Sequence, residues 1–168
     1  MDNKDMKHTC AFIGHRPERL QLSEEQVKEW LAEQIERAAD AGYTDFITGM
    51  QRGVDLWAAE VVLKLIDNDR QIRLIAACAF HGMEENWDMD WKDRYYYVLS
   101  RSELVYYISD KPDRRAYLAR NHWMVDRASR LITVYSETPG GTNETVEYAR
   151  QKERDIVSLE RGWNLCQI

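Results

Sequence analysis

Cysteine is scarce in this chain: Cys10, Cys78 and Cys166 are the only three in 168 residues, an odd number and widely separated. That excludes a disulfide framework and any close-spaced metal cluster, and it suits small buried residues in a reducing compartment. Proline and glycine are also few, 3 and 8, which leaves no room for a long linker. One domain over residues 1–168 is expected, with its regular core at about 9–160. No apolar run approaches the roughly 20 residues of a membrane span, and MDNKDMKHT has none of the apolar character of a signal peptide. A cytoplasmic protein without a membrane partner is expected. A basic block is missing as well: 23 Lys and Arg are dispersed among 29 Asp and Glu, for a formal charge of -6. Nucleic acid is therefore disfavoured as the main partner.

What is present is an alternation of short apolar runs with helical patterns. CAFIG (10–14), DFITG (45–49), IRLIAACAF (72–80), ELVYYIS (103–109), LITVY (131–135) and DIVSL (155–159) read as strands. The run at 72–80 is apolar without alternation, as a central parallel strand covered on both faces must be. Between the strands, Ser23-Glu24-Glu25-Gln26 has the form of a capping box, and Val27, Leu31, Ile35 and Ala38 follow at helical spacing up to Gly42. VDLWAAEVVLKLI (54–66), a segment carrying Trp87, Trp91, Tyr95 and Val98, RRAYLARNHWMVDRAS (114–129) and residues 143–153 read as the other helices. The aromatic spacing at 87, 91 and 95 favours burial over base stacking. His122 and Asp126 share a helix face, but nothing supplies further metal ligands, so no metal site is assigned. Strands alternating with helices of this length imply right-handed crossovers and an α/β fold. We expect a Rossmann-like three-layer α/β/α sandwich with a mainly parallel sheet of about six strands.

In such sheets ligands bind at the carboxyl ends of the strands, where strand order reverses. Three strand-to-helix loops have a composition suited to that edge: Gly14-His15-Arg16-Pro17, the segment 48–55 with Gly49, Gly53 and Asp55, and Pro139-Gly140-Gly141-Thr142. Glycine permits close approach of a ligand, and the following helix presents free N–H groups to a phosphate. Each loop alone is compatible with a plain turn; their coincidence on one edge points to a phosphate or sugar-phosphate site. Asp55 has two readings, an N-cap or an acceptor for a ribose hydroxyl. Glu144 and Glu147 have a bland one, complementing the helix dipole.

IGHR (13–16) with TGMQRGVD (48–55) resembles the DprA-type pattern of Ile/Val-Gly-x-Arg followed by Ser-Gly-x-Ala-x-Gly-Ile-Asp. RNHWM (120–124) with PGGTNETVE (139–147) resembles the LOG phosphoribohydrolases, also described as lysine-decarboxylase-like, which carry Arg-Lys-x-x-Met and Pro-Gly-Gly-x-Gly-Thr-x-x-Glu. Both belong to the SLOG superfamily of Rossmann-like nucleotide-ligand domains. The order of motifs over about 9–160 is most similar to its YpsA-like branch, which has no assigned function.

The resemblance implies binding or sensing of a nucleotide-derived small molecule of the ADP-ribose or NAD class, with no cofactor. Gly14, His15, Arg16, Gly49, Gly53, Asp55, Arg120, Gly140, Gly141, Thr142 and Glu147 are the expected binding residues. The alternative it implies is hydrolysis of an N-glycosidic bond, with Arg120 and Glu147 as the catalytic pair: a carboxylate beside an oxocarbenium-like sugar and a guanidinium on the phosphate or leaving group. Whether the chain is an enzyme is left open. Against hydrolysis, the motif Lys is Asn121, and the second motif Gly and Thr are Asn143 and Glu144, which restrict backbone approach and place negative charge where a phosphate would sit. A third reading, a single-stranded DNA module, has Arg52, Arg114, Arg115 and Arg120 as its cations. Open sheet edges and an exposed helix layer permit a homodimer without requiring one.

Overall fold

The computed structural model describes residues 6–136 and 139–159. Its sheet has six strands, β1 (Thr9–Gly14), β2 (Asp45–Thr48), β3 (Arg73–Cys78), β4 (Leu104–Tyr107), β5 (Arg130–Val134) and β6 (Asp155–Ser158). Their order is β4-β3-β2-β1-β5-β6. Every pairing is parallel, so the three-layer expectation holds and the sheet is parallel throughout. Strand order reverses between β1 and β5, where Gly14 is in register with Val134.

The α-helices among the described residues are α1 (Glu24–Asp40), α2 (Val54–Asp67), α3 (Met89–Arg101), α4 (Arg114–Arg127) and α5 (Gly141–Gln151). Strand side chains alternate between two cores. Cys10, Phe12, Phe46, Leu74, Ala76 and Cys78 pack with the inward stripes of α1, α2 and α3. Ala11, Ile13, Ile47, Ile75, Ala77 and Leu131 pack with Met124 and Val125 of α4 and Val146 and Ala149 of α5. Strands β1, β2 and β3 bury both faces, which is why the run at 72–80 is apolar without alternation.

The capping box of α1 is fully formed: Gln26 N donates to Ser23 Oγ at 3.2 Å and Ser23 N to Gln26 Oε1 at 3.0 Å, a cap worth about 1 kcal/mol. Strand ends shift by one or two residues from the sequence reading, and two helix starts differ from it. Trp87 precedes α3 in the β3–α3 connection, yet its ring still meets Tyr95 edge-on at 5.6 Å. Helix α5 begins at Gly141, not at 143, because Gly140 O already accepts from Glu144 N at 3.1 Å. Cys10 and Cys78 are buried free thiols in β1 and β3, and burial raises both above the usual thiol range. Cys166 lies outside the described residues. Among the described residues no helix is long and apolar enough to cross a membrane, and no group of three or more His, Cys, Asp or Glu side chains is placed to hold a metal.

Candidate functional site at the carboxyl edge

The loops that follow β1, β2 and β5 meet at the carboxyl edge beside the reversal point. Val54 N, at the start of α2, donates to His15 O at 3.3 Å, and His15 N donates to Val134 O at 3.2 Å, tying the three loops together. The contacts leave no space for larger residues. A Cβ on Gly14 would lie 2.3 Å from Val54 Cβ, and one on Gly53, whose φ is +90°, would lie 2.6 Å from His15 O. Met50 holds a left-handed conformation, φ +61°, without being glycine. Such a conformation costs roughly 1–2 kcal/mol, and here complete burial of the Met50 side chain and a 3.2 Å bond from its N to Thr48 Oγ1 offset it.

Gly49 sits between two buried charges. A Cβ there would lie 2.6 Å from Asp55 Oδ2 and 3.1 Å from Arg120 Cζ. Asp55 is 3% exposed and Arg120 4% exposed, and each charge offsets part of the cost of burying the other. They nevertheless make no direct ion pair. Arg120 donates through Nη1 to Gly49 O and through Nε and Nη2 to Asn121 Oδ1 at 3.1 and 3.0 Å. Asn121 passes the chain on, its Nδ2 donating to Thr145 Oγ1 at 2.9 Å, and Thr145 Oγ1 donates to Gly141 O at 2.7 Å. Asp55 Oδ2 accepts weakly from Gln51 N at 3.4 Å; the Gly14 N–H is near enough to favour the charged carboxylate, but no well-aligned donor reaches the buried Asp55 Oδ1. Burial pushes the Asp55 carboxyl up to about 6 against the opposing pull of Arg120. The same burial lowers Arg120, with Asp55 acting the other way.

The outer part of the crevice mixes buried and exposed positions. His15 is 2% exposed, and burial holds its imidazole below the ordinary range; Nε2 faces Ser136 Oγ at 3.4 Å. Arg16 is exposed. Gly140 and Gly141 form the turn into α5, and nothing lies within 4 Å of a Cβ built on Gly141. Thr142 and Asn143 are half-buried in the first turn, and Asn143 Oδ1 is a second buried acceptor without a partner.

These positions gather Gly14, His15, Gly49, Gly53, Asp55, Arg120, Gly140, Gly141 and Thr142 into one edge. Glu147 stands apart from the buried network. Two residues along a helix turn the side chain by about 200°, so Glu147 points away from the face on which Thr145 meets Asn121. Its carboxylate pairs with Arg150 and is 60% exposed. Among the described contacts it shares no hydrogen bond or ion pair with Arg120.

Sequence reasoning missed Arg19 and Thr145. Arg19 follows Pro17 in a short 3-10 turn and reaches across the crevice, Nη2 donating to Pro139 O at 3.3 Å and Nη1 lying where it would be 2.9 Å from a Cβ on Gly140. Its signal was its place one turn after Gly14. The Asn121–Thr145 bond, 24 residues apart, has no signal in a single sequence. Arg52 pairs with Glu18 at 2.9 Å, so this cation is already partly neutralised at the mouth.

Comparison with known proteins agrees with the fold. DNA processing protein A from Helicobacter pylori, solved in a study of its single-stranded DNA binding mode, superimposes with a TM-score of 0.66 at 17% identity, covering 94% of this chain and 68% of that one. The Streptococcus pneumoniae DprA gives 0.67 at 19%, covering 92% of this chain and 50% of that one. At these identities the likeness is one of fold. Among curated proteins, a UPF0398 protein of Bacillus cereus strain B4264 is 28% identical over 153 residues, 84% of this chain and 82% of the relative. A UPF0398 protein of Halalkalibacterium halodurans is 29% identical over 131 residues, 76% and 69% of the two chains. The YpsA model, described as the YspA SLOG family, matches residues 10–159, so the chain belongs to that family.

Proposed function

We propose that this chain binds a nucleotide or nucleotide-derived ligand in the crevice between the β1, β2 and β5 loops. The observation that carries the reading is the pair of buried acceptors that no well-aligned donor reaches, Asp55 Oδ1 and Asn143 Oδ1, at the edge where α2 and α5 begin. A buried acceptor left unpaired costs about 1–3 kcal/mol, and a ligand with hydroxyl donors, such as ribose, removes that cost. Arg16, Arg19 and the free N–H groups of the first turn of α5 supply the complementary positive field for a phosphate. Glu144, exposed in that same turn, offsets part of this field. The hydrogen-bonded Arg120–Asn121–Thr145 chain favours a positioning role over a catalytic one for Arg120, and with Glu147 on the other side of α5 it favours binding without turnover.

The test is a thermal-shift panel of mononucleotides, dinucleotides, cyclic nucleotides and ADP-ribose against the wild type, Asn143→Ala and Asp55→Asn. A bound ligand at 100 times its dissociation constant stabilises by about 2.7 kcal/mol. Expected is a shift for at least one member that both variants diminish; no shift from any member overturns the reading. Chromatography of the same incubations settles turnover, since release of free base would favour the hydrolase.

A second reading, single-stranded DNA binding, is favoured by the fold likeness to DNA processing protein A. The formal charge of -6 and the neutralisation of Arg52 by Glu18 weigh against it. It requires binding of an oligonucleotide that weakens steeply with salt.

A further inference from the structure

The carboxyl edge carries a second cluster that the crevice does not use, built by the connection after β3, the end of β4 and the first half of α4. The rings of His81 and Tyr107 stack with centroids 3.4 Å apart and planes 14° apart, and both residues are exposed. Phe80 meets Tyr117 edge-on at 5.5 Å, and the Arg120 guanidinium lies 5.6 Å from the Tyr117 ring, which joins this cluster to the crevice. Glu84 lies within electrostatic range of Tyr107 and is 7% exposed. Its Oε1 accepts from Tyr96 Oη at 2.8 Å, while Oε2 is buried and has no hydrogen-bond partner.

A core has no use for this combination. A stacked pair in solvent hides little apolar area, and a buried carboxylate oxygen without a donor is a cost. Both become useful to a planar group with N–H donors on its edge: the rings offer it a face, and Glu84 accepts from its amine. Neighbouring strands are spaced about 4.8 Å apart. The β3/β4 boundary is three strand spacings from the β1/β5 reversal point, or roughly 14 Å, further than a nucleoside monophosphate extends.

Resting on the nucleotide reading above, we propose that the His81–Tyr107 ledge and Glu84 form the base subsite of the ligand, which is a diphosphate-linked molecule of the ADP-ribose type. Its amino-bearing base lies on the ledge, and its distal ribose and phosphates lie in the β1/β5 crevice. A mononucleotide fills one end only.

Calorimetric titration of ADP-ribose, AMP and ribose 5-phosphate against the wild type, His81→Ala and Tyr107→Ala tests this. Expected are tighter binding of ADP-ribose than of either shorter probe, and a loss of about tenfold in ADP-ribose affinity in each variant, with ribose 5-phosphate unaffected. Both residues are exposed, and either variant reads the same ledge if the other fails to fold. If ribose 5-phosphate binds and both variants hold ADP-ribose as the wild type does, the ledge is not a subsite and the crevice reading stands. If none of the three probes binds the wild type, both fall. A single-stranded oligonucleotide binding in a salt-dependent way where ADP-ribose does not would overturn the small-ligand assignment in favour of a strand laid along the edge.

Discussion

Two Arg–Asp pairs sit at opposite edges of the same sheet and have opposite fates. At the amino edge, Asp45 is 4% exposed, and Arg73 forks onto it, Nε to Oδ1 at 2.7 Å and Nη2 to Oδ2 at 2.8 Å. At the carboxyl edge, Asp55 is equally buried, but Arg120 spends its donors on Gly49 O and Asn121. The first pair is complete; the second leaves an acceptor for something else. A cavity of about 540 Å³ opens at the amino edge, lined by His8, Thr44, Asp45, Arg70 and Arg73 among others. The proposed site is at the other edge all the same, because the Asp45–Arg73 charges lining that cavity already have their partners, although Arg70 Nε beside them is a buried donor without one.

Breaking the complete pair gives the largest effect. Arg73→Ala leaves Asp45 buried without its fork, and one-third exposure of the Arg73 side chain lets water replace part of it. A loss of about 2 kcal/mol in urea unfolding is expected, with ligand response intact. A loss below 0.5 kcal/mol would mean that the amino-edge fork is no better satisfied than the carboxyl-edge pair.

The incomplete pair is read through pH. The Asp55 carboxyl is raised in the fold, to about 6 from an ordinary value of 3.8, so the folded state takes up its proton before the unfolded state does. Its contribution to stability is therefore least favourable above pH 6 and improves as pH falls from 6 towards 4. Asp55→Asn removes that titration. The difference in unfolding free energy between wild type and Asp55→Asn should change over pH 4 to 6, in favour of the wild type at the acid end. A flat difference would mean that Arg120 compensates Asp55 fully.

Much of this was legible in the residues and some was not. The strands and helices followed from apolar runs and helical spacing, because a parallel sheet covered on both faces imposes both patterns directly. Gly49 and Gly53 stood out because glycine at a strand end records a demand for space, and each does face an atom a Cβ would strike. The start of α5 was set two residues late because Gly141 and Thr142 carry no helical preference, and the helix starts there from the Gly140 cap. The distinction between Arg120 and Glu147 was illegible. A motif places both on the same edge, but only the turn of α5 decides that Thr145 faces the network while Glu147 faces solvent.

Glu147 accordingly gives the smallest expected effect and the sharpest contrast with Asp55. Its partner Arg150 is three residues along the same helix, with both side chains at least half exposed. Pairs of this kind contribute about 0.3–0.5 kcal/mol, because water solvates each charge almost as well as the partner does. Glu147→Gln should therefore change unfolding free energy by less than about 0.5 kcal/mol and leave the response to nucleotides as in the wild type. Asp55→Asn, a change of the same chemistry at a buried acceptor, should diminish that response. If the two variants behaved alike, with Glu147→Gln also abolishing binding, the exposed face of α5 would belong to the site, and the hydrolase reading with its Arg120–Glu147 pair would regain its footing.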